Sequence, residues 1–174
     1  MDKKIIPWVT ALALLLLGTL AATGYAQKMA PDILAGLTTA HVRVSYFEEG
    51  APKESGQEKQ QLASDLERQL AETDLKLVSK DEFDRLISSR GYPIALLDLE
   101  VRMGKISGVE FKLYHVGLKL QQVCYVARKP VLRFMAPTWD ITASGTADDF
   151  NAVKGRVSEA VARFVDDYNA ENPK

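Results

Sequence analysis

The side chains able to do chemistry are few, and their spacing limits what they can do. Nucleophilic catalysis needs an activated serine or cysteine beside a histidine and an orienting acid. The chain carries two histidines, His41 and His115, and one cysteine, Cys124. Both histidines have outward parity on predicted strands and no nucleophile elbow accompanies them, so they read as surface histidines. Glu100 is expected opposite His115 in a hairpin, a cross-strand pair without the third member of an acid-base relay. Cys124 shares the parity of Val116, Leu118 and Leu120, which points it inward as a small buried hydrophobe.

Metal and phosphate chemistry fare no better. A zinc site wants three or four ligands at short fixed spacings, and the histidines and cysteine form no such cluster. Asp148-Asp149 opens a predicted helix, where acids suit the dipole, and Asp166-Asp167 lies exposed near a helix end. Neither pair has the alternating oxygen ligands of a calcium loop. Gly104, Gly108 and Gly117 fall inside the hairpin, and 36–39 also fails the pattern of a phosphate-cradling loop. The expectation is therefore a protein that is not an enzyme, with no cofactor and no metal.

What remains is the outward face of that hairpin. Asp98, Glu100, Arg102, His115, Lys119 and Gln121 give it mixed charge, usually a solvated surface. Leu113, Val123 and Tyr125 add apolar area, as a protein-binding sheet surface would. The candidate partner-binding residues are Leu113, His115, Lys119, Val123 and Tyr125, with Thr142 on the strand that follows.

The elements that must position these residues come from hydrophobic period. Over 96–127, Leu97, Leu99, Val101 and Met103 alternate with polar residues, and Tyr114, Val116, Leu118 and Leu120 answer them across a turn at Ser107-Gly108. A two-residue loop there sets Leu99 opposite Val116 and Leu97 opposite Leu118. Continuing this register predicts a third antiparallel strand over 131–144, with Trp139 buried opposite Leu118 and Ile141 opposite Val116. Pro137 removes a ladder donor, so that strand should be an edge or bulged. Upstream, Val42, Val44 and Tyr46 mark a first strand, 57–72 an amphipathic helix capped from Ser55, and 75–78 a brief strand. Ser79 with Glu82 caps a short helix closed by Arg90-Gly91. Thr146 and Asp149 cap a last helix with Phe150, Val153, Val157, Val161, Phe164 and Tyr168 in one stripe. The order β-α-β-α-β-β-β-α predicts an α+β fold with an α/β-like start, a mixed sheet of about five strands with helices packed on one face.

The totals bound the rest. At 174 residues with a formal charge of −1, the chain has room for one domain and no basic excess for nucleic acid. Lys3 and Lys4 precede an apolar run over 5–22, and Gly24 and Ala26 are small residues suited to a signal peptidase. Residues 1–26 are thus expected to be a Sec signal peptide cleaved after Ala26, with an uncleaved anchor as the alternative. A short tether over 27–35, a single domain over 36–170 and a tail over 171–174 follow. No cysteine near the run forms a lipobox, so localisation is expected in the periplasm, with membrane contact only through an uncleaved signal.

Leu37 before 42–44, the capped helix with Leu62, Leu66 and Leu70, the long hairpin, and Trp139 before Gly145 and an amphipathic last helix together resemble a known group. It is the small envelope α/β module shared by the TolB amino-terminal domain, the curli-secretion lipoprotein periplasmic domain and the lipoprotein activators of penicillin-binding proteins. The resemblance covers roughly 35–168. It implies a non-catalytic cell-envelope module or assembly accessory whose partners are other envelope proteins. The missing lipobox departs from the lipid-anchored members. A soluble periplasmic carrier of a small or lipidic ligand is the alternative.

Overall fold

The computed structural model describes residues 32–50, 56–88, 93–105 and 107–173. The predicted signal segment, most of the tether, the Ser55 cap and the Arg90-Gly91 closure lie outside the described residues. The chain folds as an α+β domain on a mixed five-stranded sheet of order β2-β1-β3-β4-β5. Its strands are β1 (Thr39–Glu48), β2 (Lys76–Leu77), β3 (Ile94–Lys105), β4 (Lys112–Val126) and β5 (Lys129–Ala147), and its helices α1 (Gly56–Leu70), α2 (Lys80–Ile87) and α3 (Phe150–Glu171). β2 and β3 run parallel to β1, whereas β3, β4 and β5 form an antiparallel meander.

The two long helices bury one face. Leu62, Leu66 and Leu70 of α1 and Val153, Val157, Val161 and Phe164 of α3 close over Leu97, Leu99, Val101, Val116, Leu118 and Leu120. The short α2 belongs elsewhere. Phe83 and Leu86 pack with Val78, Ile94 and Leu96 in a separate cluster, and Ile94 and Leu96 have the parity opposite to Leu97. Topology explains the split. The chain steps from β1 out to β2 through α1 and returns past β1 to β3 through α2. Right-handed crossovers in opposite directions place their helices on opposite faces.

The hairpin differs from its expected register by two residues. Pairing runs Leu97 to Leu120, Leu99 to Leu118, Val101 to Val116 and ends at Lys105 with Lys112. A longer loop, with Gly108 at φ 84°, therefore replaces the two-residue turn. This register extends the apolar ladder to Met103 and Tyr114. Because the offset is even, both apolar sets still point to the same side.

β5 is an edge strand, and it is bulged at the predicted place. Pro137 lies opposite Gln121 and Trp139 opposite Leu120, leaving Thr138 as the extra residue. A second irregularity leaves 130–132 between Lys129, opposite Val126, and Arg133, opposite Tyr125. These insertions put Trp139 opposite Leu120 and Ile141 opposite Leu118, two residues from the expected partners. Trp139 is 2% exposed and Ile141 half-buried. The indole stands edge-on to Phe164 at 5.2 Å between centroids, and its Nε1–H donates to Asp167 at 3.0 Å.

Two local expectations change. The cap of α3 is Asp149, whose Oδ1 accepts from the Ala152 N–H at 2.9 Å; Thr146 is still paired in β5 opposite Leu113. Cys124 is half-buried, opposite exposed Phe134. Its parity is inward, but β3 pairs with β4 only as far as Gln122, so Cys124 lies past the packed sheet. The Ser79 cap forms as expected, accepting from the Glu82 N–H.

The segment entering β1 is tied to the end of α3. The Leu34 N–H donates to Glu171 Oε2 at 2.7 Å and the Gly36 N–H to Asn172 Oδ1 at 2.8 Å. Asn172 Nδ2 returns a bond to the Leu34 carbonyl at 2.9 Å, and the Tyr168 hydroxyl donates to the Leu37 carbonyl at 2.8 Å. Leu34 and Leu37 are themselves buried. Burial pushes the Tyr168 phenol above its ordinary range.

Candidate functional site

The face opposite α1 and α3 is assembled by strand parity. β1 contributes His41, Arg43, Ser45 and Phe47, β3 contributes Asp98, Glu100 and Arg102, and β4 contributes its odd-numbered residues. All six sequence-predicted residues share this side. Thr142, opposite Gly117, joins Leu113, His115, Lys119, Val123 and Tyr125. They do not form one cluster, however. Leu113 and His115 lie near the loop end of the hairpin, whereas Val123 and Tyr125 lie near its far end, opposite Met135 and Arg133.

α2 covers part of the face and draws in a residue expected at the surface. His41 is half-buried, with its ring 5.4 Å from that of Phe83. Its Nδ1–H donates to the Val78 carbonyl at 3.0 Å. His41 thus ties β1 to the strap before α2.

Among the described residues, nothing covers the rest of the face. The Arg43 guanidinium donates through Nε and Nη2 to the two oxygens of Asp98 at 2.8 and 2.7 Å. That bond holds the guanidinium above its ordinary value despite partial desolvation. The expected Glu100 to His115 pair does not form, because the two-residue register difference sets Arg102 opposite His115. Glu100 instead accepts from Arg102 Nε. His115 Nδ1 lies 2.9 Å from Ser144 Oγ on β5. A nucleophilic relay needs, besides a serine within reach of a histidine, a third group that orients the histidine. The hydrogen bond shown here joins two adjacent strands, and among the described residues no group of three or more histidine, cysteine or acidic side chains could hold a metal.

Beside this pair is a shallow depression lined by Phe47, Arg102, Leu113, His115, Ser144 and Thr146. Phe47 is 65% exposed and Leu113 48%. Phe47 was not among the sequence candidates. Its signal was present, since it continues the outward parity of Arg43 and Ser45. Also missed was a groove along β1. β2 pairs only with Thr39 and Ala40, so beyond Ala40 the strand edge lies in a cleft between α1 and α2, lined by Val42, Val44, Ala63 and Phe83.

At the end of β1 on the α1 side, Lys112 Nζ donates to Glu48 Oε1 at 2.6 Å, and the Tyr46 hydroxyl donates to Glu48 Oε2 at 2.9 Å. The Lys112 bond holds the Glu48 carboxyl below its ordinary value, and the Tyr46 bond works in the same direction. Burial first, then Glu48, pushes the Tyr46 phenol far above its own. A carboxyl with a depressed folded pKa stabilises the fold above its unfolded value of 4.5 and loses that contribution as pH falls through the folded value. Glu48→Gln is expected to reduce the loss of stability between neutral pH and pH about 3. Urea midpoints across that range check this, and parallel curves for parent and variant would contradict it.

No protein-family model matches the chain, and no curated protein matches it. Solved structures with a similar course include a point variant of the PelC dodecamer from Paraburkholderia phytofirmans. It is 16% identical over 80% of this chain and 96% of that one, with a TM-score of 0.44. The hypothetical protein CT253 from Chlamydia trachomatis is 12% identical over 76% of this chain and 94% of that one, at 0.37.

Proposed function

We propose that the chain is a non-catalytic, exported module of the bacterial cell envelope that holds another protein against the open face of its sheet. The observation that carries this is the part of the face that α2 leaves uncovered, where Phe47 and Leu113 stand exposed in one depression with Arg102 and the pair His115 with Ser144. Exposed apolar side chains set among oriented polar groups suit protein recognition. A carrier needs room inside. Between the sheet and α1 and α3 that space is filled by Leu66, Leu99, Leu118, Trp139 and Phe164, which favours the interaction protein. The resemblance to envelope modules and the export signal in the sequence support the setting.

Site-specific photo-crosslinking in cells tests the surface. A crosslinker at position 47 or 113 is expected to give the same adduct, and one at Arg68 or Glu159 on the helices none. Adducts only from the helix positions would place the partner on the other side. Export predicts in turn that protein recovered from the periplasm begins near Gln27. A mass retaining residues 1–26 would mean that the leader stays as an anchor.

A further inference from the structure

Among the described residues, no third strand lies beside the far end of the β4–β5 hairpin, which α2 touches through Arg133. β3 ends its pairing at Ala95 opposite Gln122, whereas β4 continues to Val126 and β5 returns from Lys129. The four extra residues of β4 reach roughly 13 Å beyond β3. This tip exposes Val131 at 74%, Leu132 at 51%, Phe134 at 53% and Tyr125 at 46%. Leu132 and Val131 sit in the 130–132 insertion, where a bulge turns neighbouring side chains out of the ladder. Arg128 and Lys129 are exposed at the turn. Arg133 braces the tip by donating through Nη1 to the Ile87 and Ser88 carbonyls at the end of α2, at 3.2 Å each.

The charge around the tip is one-sided. From Phe111 to Trp139 the sequence has no aspartate or glutamate, although the whole chain is slightly acidic. Of the cations in that stretch Arg128, Lys129 and Arg133 belong to the tip, whereas Lys119 lies between Asp98 and Asp140 and Lys112 pairs with Glu48 at the other end of β4. Its position is as telling. β1 starts at Thr39 beside Ile94, next to the Ala95 that faces Gln122. The segment 32–38 therefore enters the domain at the tip end, and the apolar 5–22 run precedes it in the sequence.

We infer that the β4–β5 tip is a membrane-docking wedge, in which Val131, Leu132 and Phe134 enter the interface of an anionic bilayer while Arg128 and Lys129 meet its phosphates. Exposed aliphatic and aromatic side chains framed by long cations are what such an interface takes up. A second copy of the chain is disfavoured as the occupant, because two tips would bring like charges together. An acidic protein would satisfy the charge, but the bare aliphatic and aromatic surface of Val131, Leu132 and Phe134 suits a bilayer interface better.

The test reports where the tip sits, so it works whether or not the leader is removed. The full chain, recovered from cells as they process it, carries Cys124→Ser and one new cysteine labelled with a polarity-sensitive fluorophore, at Leu132→Cys on the tip or Ala162→Cys on α3. With vesicles containing phosphatidylglycerol, the label at 132 is expected to shift to the blue and to be quenched by lipid-borne nitroxide, and the label at 162 to stay in water. Adding Arg128→Glu and Lys129→Glu should lower the inserted fraction about tenfold or more, with circular dichroism unchanged. The inference is overturned if the label at 132 remains as exposed as that at 162, if charge reversal leaves insertion unaltered, or if only an acidic protein shields it.

Discussion

Trp139→Ala is expected to lower the free energy of unfolding by about 3 to 5 kcal/mol, as large-to-small aromatic changes in a packed core do. Three losses add here. The side chain is 2% exposed, so its apolar area is removed entirely from water. Its edge-on contact with Phe164 disappears. Asp167 then loses its indole donor and keeps only the weaker geometry to Arg163, at 3.4 Å. The aromatic contact can be isolated with Phe164→Ala and the double variant, for which a coupling of about 0.5 to 1.5 kcal/mol is expected. Urea denaturation supplies all four values. A cost under about 1 kcal/mol for Trp139→Ala would mean that the indole is not a core residue.

Leu118→Ala is the second large effect, expected at about 2 to 5 kcal/mol. Its informative partner is Leu113→Ala on the same strand, expected within about 0.5 kcal/mol. The two leucines differ in parity, and Leu113 also lies nearer the loop end of β4. Leu118 is fully buried between Leu99 and Ile141, whereas Leu113 is 48% exposed. Comparable losses from both variants would mean that Leu113 is covered and the outward face closed.

The meander was legible in the sequence because period two is a strong signal and survives an error in register. The pairing register differs from expectation by two residues, and neither Leu99 nor Leu118 changes sides as a result. Trp139 was likewise legible as a core residue although its partner was not. Bulges at 130–132 and Thr138 carry no pattern of their own, and only the proline at 137 hinted at one. The sidedness of α2 depended on the strand order, a long-range fact that Phe83 and Leu86 cannot announce. His41 shows the same limit. Its outward parity is as expected, but with all helices expected on one face nothing in the sequence announces that α2 covers it. The candidate face was found from Leu113, His115 and Tyr125, while Phe47 needed the parallel pairing of β1 with β3 to be placed beside Leu113. Cys124 failed for the opposite reason: its parity is inward, at a point where the sheet outruns its helices.

The ties between the entering segment and the end of α3 also set an order of events. Leu34, Gly36 and Leu37 bond to Glu171, Asn172 and Tyr168, across 131 to 138 residues of chain. Contacts so distant in sequence close late, since the entropy of a long loop is lost before they repay it. A chain made from its amino terminus has no Glu171 for the Leu34 N–H until its last helix has been synthesised. The same delay applies to one threaded across a membrane in that direction. Each molecule therefore passes through a period in which β1 and the hairpin exist without their clasp, and in that interval the entering segment is not yet held by α3.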